Sequence, residues 1–387
     1  MHKQKLYRIT YGNSNPRFEL VEADIPTPKD DEILIKHTAI GINFQDYEHY
    51  KKTLVSISKP VITNNEKSFG VYSNIKQAIK SFLHNPSNQA TQATQATQAT
   101  QVSSDNNIAS NNTFSNIVTI TPGIEAVGIV HKIGKLVKDF QVGQRVGYCT
   151  VTDGAYSQYR TINSNYVFKI QDSISDEAAA ANLVKGMTAH YLMRRTFYVQ
   201  PNMTILIHAA SSAVGQTMLR LVKEYKATAI ATIGNDDQEK KSILQNLECE
   251  YILNYNNPDW VNQVKEITNN KGVNVVYDCL GRQTVLESID CLMPFGLMVL
   301  LGQITGSVNT IDPQLLTQKS LFFTMPQLQY YKQDNIELLL SALEVFALIE
   351  KGVLPKKANQ IYKFDNVVQA MHDIENHRNL GTKIVLL

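Results

Sequence analysis

The sequence predicts an α/β fold in two parts, a β-rich, barrel-like part followed by a doubly wound parallel sheet. Three observations predict it. Up to about residue 170, apolar residues fall in short alternating runs separated by glycine turns, the pattern of an all-β part. From Asp176 onward, short apolar runs alternate with helical patterns, which builds a parallel sheet with crossover helices. A last apolar run, 383–387, closes the chain as a strand that returns to the first part.

In order, residues 6–9 and 18–25 read as strands around the turn Gly12-Asn-Ser-Asn-Pro16. Asp31 to Ile40 alternates apolar and polar residues, as a half-buried strand does. Residues 56–116 are poor in core residues, with Gln-Ala-Thr repeated four times from Gln89 to Thr100. Such a tract buries too little apolar surface to offset the entropy of ordering it, so 56–116 reads as a disordered low-complexity insertion. Strand patterns resume at Ile124–Ile133 and Arg145–Cys149, with turns at Gly134 and Gly143, and Gly154-Ala-Tyr-Ser157 starts another strand.

A helix begins at Glu177. Then strand 204–208 leads to helix 213–226, strand 228–233 to helix 238–247, and strand 250–254 to helix 258–268. Strand 273–279 leads to helix 283–292, and strand 296–301 follows. Strand 320–324, helix 334–351 and strand 383–387 complete the chain. This divides it into 1–181, the α/β region 182–311, and a returning segment 312–387.

The chain has 387 residues, 43% apolar and 19% charged, with net charge +2. That is globular composition, and the charge gives no footprint for nucleic acid or an anionic membrane. The four cysteines form no C-x-x-C pair, and the N-terminus has no apolar signal region. The apolar stretch at Gly296–Gly302 is far below the ~20 residues of a membrane span. A cytoplasmic protein with reduced thiols is expected.

The chemistry is expected at the first strand-to-helix turn of the α/β region, His208-Ala-Ala-Ser-Ser-Ala-Val-Gly215. Small residues there let the backbone approach a pyrophosphate, and the helix N-terminus points N–H groups at it. Of the G-x-G-x-x-G fingerprint only Gly215 remains, so a plain packing turn stays open. The next strand ends at Gly234, where an NAD site carries an acid; with Lys240 and Lys241 downstream this suits a 2′-phosphate. Asp236, Asp237 and Glu239 oppose it. No cluster of thiolates and imidazoles has metal-ligand spacing, so no metal is expected, and His131, His190 and His208 read as structural. No G-x-S-x-G elbow is present.

These residues resemble a family. The segments Ala39-Ile-Gly-Ile-Asn-Phe-Gln-Asp46, Gly123 to Val130, Gly154-Ala-Tyr-Ser157 and Leu183-Val-Lys-Gly-Met-Thr188 carry the resemblance in the first half. His208 to Gly215, Asn254-Tyr255, Val276 to Gly281, Gly296 to Gln303 and Gly381 to Leu386 continue it. In this order and spacing the chain resembles the zinc-independent NADPH:quinone oxidoreductases (zeta-crystallin-like) of the medium-chain dehydrogenase/reductase superfamily. The resemblance implies a GroES-like β-barrel catalytic domain and a Rossmann domain that binds NADPH. It implies that Asn43 and Asp46 lie at the catalytic cleft, with Phe44 and Thr188 beside the nicotinamide. Ser211, Ser212, Ala213, Val214 and Gly215 would hold the pyrophosphate. Gly234, Lys240 and Tyr255 would hold the 2′-phosphate, and Cys279, Gly302 and Gln303 would pass the cofactor at the strand ends. The chain departs from the family at Ser212-Ala213, where two glycines are usual, and by two extra residues between Gly234 and Lys240. It departs again at Glu48 and Met325, where the family has tyrosine and arginine.

The expected activity is NADPH-dependent reduction of a quinone without metal, with Asn43 bonding the quinone carbonyl or the cofactor. The alternatives are reduction of an activated C=C bond in an enone or enal, and a non-catalytic NADPH-binding role. The resemblance also implies a homodimer through the edge of the α/β sheet, with strand 296–301 pairing across the two-fold axis.

Overall fold

Strands β1 (Lys3–Tyr11) and β2 (Arg17–Asp24) pair antiparallel, and β4 (Val118–Ile120) joins them in the order β2-β1-β4. The larger sheet is built on β3 (Glu32–Ile42), with β5 (Glu125–Ile133), β6 (Arg145–Cys149), β7 (Tyr159–Asn163) and β8 (Val167–Lys169). β3 is long enough to serve three partners. β5 lies along one edge, and β7 pairs with Glu32–Lys36 on the sheet's branch. The computed structural model describes residues 3–11, 17–47, 118–149, 152–235, 237–331, 335–375 and 380–387. Within it, the described residues of 1–10, 16–51 and 119–387 make one compact unit. The tract 56–116 lies outside the described residues.

Helix α1 (Asp176–Tyr191) starts where Ser175 caps it, its side chain accepting from Ala178 N–H at 3.1 Å, with Asp176 and Glu177 in the first turn. Its run of four alanines, Ala178–Ala181, is fully buried. Their small size lets the helix settle on β3: a Cβ on residue 41 would lie 2.6 Å from Ala180 O. The helix ends in a π-helical turn, Leu192–Thr196.

The α/β region follows as β9 (Thr204–Ile207), α2 (Ala213–Glu224), β10 (Thr228–Ile233), α3 (Gln238–Asn246), β11 (Tyr251–Asn254) and α4 (Trp260–Ile267). It continues with β12 (Val273–Asp278), α5 (Val285–Asp290), β13 (Leu292–Leu300), α6 (Pro313–Thr317) and β14 (Phe322–Thr324). The six strands are all parallel, in the order β11-β10-β9-β12-β13-β14. The order reverses at β9, which places a crevice at the carboxyl ends of β9 and β12.

The chain then forms α7 (Leu328–Tyr331), α8 (Asn335–Glu350), β15 (Gln360–Lys363), α9 (Val367–Glu375) and β16 (Lys383–Leu386). β16 pairs antiparallel with Ala39–Ile42 of β3, and β15 lies parallel beside it. The large sheet therefore runs β15-β16-β3-β5-β6-β8. Among the described residues no pairing joins β8 to β15, so the described strands of this GroES-like part do not close into a barrel.

Three expectations are corrected here. The run 296–301 is interior: β13 pairs with β12 on one side and β14 on the other, so it has no edge to offer a second copy. The 181/182 boundary falls inside α1, because one helix serves both parts. Residues 322–324, placed with the return, instead form the edge of the parallel sheet.

Candidate active site

Asn43 follows β3 and leads into a helical turn, 44–47. Asp46 folds back on it: its Oδ2 accepts from Asn43 backbone N–H at 2.9 Å and from the Tyr156 hydroxyl at 2.9 Å. This is half a capping box, with the acid at the third helical position serving the residue before the turn. The Asn43 side chain does not complete it. Asn43 Nδ2 donates instead to Glu125 Oε1 at 3.0 Å. Lys185 Nζ lies 2.5 Å from the same oxygen, and Val184 N–H donates to Glu125 Oε2 at 2.6 Å.

Burial governs the electrostatics. Asp46 Oδ1 is buried without a partner, and burial pushes the carboxyl up to about 7, against the Asn43 N–H, the Tyr156 hydroxyl and the Lys185 charge, which all lower it. The Tyr156 hydroxyl is held well above its usual range by burial and by Asp46. Phe44 packs on the β-rich core with its ring 5.9 Å from that of Tyr47. Thr188 lies one turn beyond Lys185 on α1, so both share a helix face.

The second cluster gathers at the carboxyl ends of the parallel strands. After β9, Ser211 to Gly215 form the turn into α2. Ser212 caps the helix, its Oγ accepting from Gly215 N–H at 3.2 Å. Ala213 and Val214 form the first helical turn. Ala209 carries the positive φ, 47°, that a fingerprint glycine adopts freely. Gly215 is required by packing, since a Cβ there would lie 2.7 Å from the Ala210 backbone. Beneath the turn, His208 bonds Thr232 Oγ1 and Ser288 Oγ, each at 2.8 Å, and burial lowers its pKa, so it is the structural histidine expected.

Gly234 ends β10, and a Cβ there would lie 2.4 Å from the Tyr255 hydroxyl at the end of β11. Asp237 caps α3 with Oδ1, accepting from Glu239 and Lys240 N–H, while its Oδ2 lies 3.6 Å from Lys240 Nζ. Lys240 Nζ also reaches Asn235 Oδ1 at 3.4 Å. After β12 and β13, Gly302 allows close approach: a Cβ would lie 2.8 Å from Cys279 O. Burial pushes the Cys279 thiol up to about 12, which removes it as a nucleophile at neutral pH. Gln303 closes its own loop, its Oε1 accepting from Val308 N–H at 2.8 Å.

The structure thus brings Ser211–Gly215, Gly234, Lys240, Tyr255, Cys279, Gly302 and Gln303 to one end of the sheet, and Asn43 and Asp46 together in a second group. α1 packs on β3 and β5 with one face and on α2 with another, and so ties the two groups. Three residues of the second group were not singled out from sequence for this role: Glu125, Tyr156 and Lys185. The signal for two of them is a charge inside an apolar run, where a charged side chain stands only if paired. Among the described residues no three His, Cys, Asp or Glu side chains converge as metal ligands, and no helix is long and apolar enough to cross a membrane.

The sequence matches the profile of the alcohol dehydrogenase GroES-like domain over residues 94–172 and that of the zinc-binding dehydrogenases over residues 213–341. A quinone oxidoreductase of Salmonella typhimurium is 36% identical over 267 residues, covering 68% of this chain and 81% of that protein. A 2-haloacrylate reductase of a Burkholderia species is 33% identical over 271 residues, covering 69% and 81%. The crystal structure of the Escherichia coli quinone oxidoreductase complexed with NADPH superposes with a TM-score of 0.78 at 28% identity, covering 99% of this chain and 100% of that one. On sequence and fold together, the chain belongs to the quinone oxidoreductase family of the medium-chain dehydrogenase/reductase superfamily.

Proposed function

We propose that this protein uses NADPH to reduce a quinone, without a metal ion. The observation that carries the reading is the gathering of five strand-end segments at the switch point of a parallel sheet, where dinucleotides bind. The cradle fits such a group, because the backbone is kept bare at Gly215, Gly234 and Gly302 by contacts that a Cβ would violate. Ser211, Ser212, Ala213, Val214 and Gly215 receive the pyrophosphate at the α2 N-terminus. Gly234, Lys240 and Tyr255 receive the 2′-phosphate, and Cys279, Gly302 and Gln303 border the path beyond it.

When bound, the reduced nicotinamide supplies the reducing equivalents. The chain's own residues orient and enclose. Phe44 and Thr188 flank the nicotinamide side, Asn43 contacts the reacting pair, and Asp46 holds the turn that aims Asn43. A flat conjugated acceptor needs no Lewis acid, so the reading assigns no metal. We further infer a cytoplasmic protein, since four cysteines without a C-x-x-C pair in so long a chain are no disulfide framework. We infer a homodimer through β14, whose outer edge is unpaired among the described residues and which carries exposed Phe322.

A second reading, reduction of an activated C=C bond, is favoured by the similarity to the 2-haloacrylate reductase. The deciding experiment mixes the purified protein with NADPH or NADH and either a simple quinone or a haloacrylate, and follows loss of the reduced nicotinamide absorbance. Quinone-dependent consumption of NADPH well above NADH is the expected result. Consumption only with haloacrylate selects the second reading. Binding of NADPH without turnover on either acceptor leaves a non-catalytic role.

A further inference from the structure

The Glu125 carboxylate is fully buried, Lys185 is 2% exposed and Asn43 7%. A buried ion pair is a poor device for stability, since desolvating two charges offsets most of their attraction. This one also constrains its surroundings: a Cβ on residue 41 would lie 1.9 Å from Glu125 Oε1, so β3 must carry glycine there. Apolar side chains would join β5 to α1 at less cost. They could not fix the direction of an amide.

A carboxylate oxygen only accepts hydrogen bonds. With Glu125 Oε1 already taking the Lys185 ammonium, the Asn43 amide can meet it only through Nδ2, as it does at 3.0 Å. Asn43 Oδ1 is thereby turned away from the pair, and it has no hydrogen-bond partner among the described residues. The backbone arrangement keeps the side chain available. Asparagine in front of a helical turn ordinarily caps it with its own side-chain oxygen, but here the Asp46 N–H donates to the Asn43 backbone oxygen at 3.1 Å, and the Asn43 amide goes to Glu125. Val184 N–H on Glu125 Oε2 fixes the second oxygen, so the carboxylate cannot swing.

We propose that the Glu125–Lys185 pair is a positioning device for Asn43, holding its amide in one of its two orientations so that Oδ1 meets the ligand at the reacting end of the site. This rests on the reading of Asn43 as part of that site. Glu125 and Lys185 touch no ligand and act only through Asn43.

The test is a double-mutant cycle on turnover of the full-length protein with NADPH and a simple quinone. One arm is Asn43→Ala. The other is the neutral pair Glu125→Gln with Lys185→Met, which leaves no unpaired charge, and the two are then combined. NADPH affinity by nicotinamide fluorescence and the melting temperature are read in parallel. Asn43→Ala is expected to lower kcat by about tenfold or more, as loss of one positioning contact does. The neutral pair should lower it by a similar factor, and in the Asn43→Ala background it should cost less than about twofold, because residues acting through one another are not additive. A purely structural pair gives losses that multiply and follow the melting temperature, which overturns the inference alone. Full turnover in Asn43→Ala, or no turnover in the unaltered protein, overturns the site reading and the inference with it. If the neutral pair does not fold, Glu125→Gln alone decides. Its amide offers Asn43 either an oxygen or a nitrogen, so kcat should fall at unchanged NADPH affinity, and an unchanged kcat overturns the proposal.

Discussion

The Tyr255 hydroxyl stands over Gly234, so that a Cβ on residue 234 would lie 2.4 Å from its oxygen. The contact arises because Ile233 of β10 pairs with Asn254 of β11, which brings the ends of both strands side by side. Gly234→Ala keeps an allowed backbone but pushes the tyrosine ring aside. NADPH affinity should fall by roughly tenfold, the worth of one hydrogen bond to a charged group, with little change in melting temperature. Fluorescence titration checks it; an equal loss for NADH would show that Tyr255 does not serve the 2′-phosphate.

Lys240 is already engaged by an anion of its own chain. Asp237 Oδ2 lies 3.6 Å from its ammonium, and the backbone N–H groups of Lys240 and Glu239 hold the Asp237 carboxyl below its usual range. Asp237→Asn keeps a good helix cap and removes the competing charge. The preference for NADPH over NADH should rise by about two- to fivefold, the scale of one partly exposed ion pair. Lys240→Glu should cost NADPH far more than NADH. Competitive titration with both cofactors reads each change, and no effect of Lys240→Glu would place the 2′-phosphate elsewhere.

Ser212 occupies a helix N–H that a pyrophosphate would otherwise take, since its Oγ accepts from Gly215 N–H at 3.2 Å. Ser212→Gly lowers helix stability by only a few tenths of a kcal/mol, whereas Ser212→Ala costs about 1 kcal/mol. Affinity for NADPH should improve in Ser212→Gly by roughly fivefold, the value of one neutral hydrogen bond. Weaker binding in that variant would mean that the serine hydroxyl itself contacts the cofactor.

Asp46 gives a stability signal in pH. Its carboxyl titrates near 3.8 when unfolded and near 7 when folded, because burial disfavours the charge. Below the unfolded value both states hold the proton and nothing is lost. As pH rises toward 7 the unfolded state ionises first, so stability falls, and it levels off above the folded value. Between pH 5 and pH 8 the protein should lose on the order of 1–3 kcal/mol that Asp46→Asn does not lose. Melting curves of both proteins across that range measure it, and parallel slopes would contradict the assignment.

Local pattern was enough to order the elements. The alternation from Thr204 to Leu300 gave strands and helices in the right sequence because periodicity of 2 and 3.6 is written among near neighbours. It failed where the signal is short or long-range. β13 begins at Leu292, ahead of the expected Gly296, because the chain accommodates Phe295 at φ 63° within the strand. β15 and α9 were not foreseen, as four- and nine-residue elements at a chain's return carry little pattern of their own.

The sequence by itself determined the two-part fold, the family resemblance and the small-residue turns at the strand ends, since each depends on contiguous residues. Tertiary structure alone decided that β14 is an edge of the parallel sheet, that Asp237 sits against Lys240, and that Asn43 shares an oxygen of Glu125 with Lys185. Asn43 and Glu125 are 82 positions apart, and Glu125 and Lys185 are 60 apart. A hydrogen bond over such a span leaves no mark in local composition; it forms only when packing of α1 on β3 and β5 removes water from three polar groups and leaves them one another as partners.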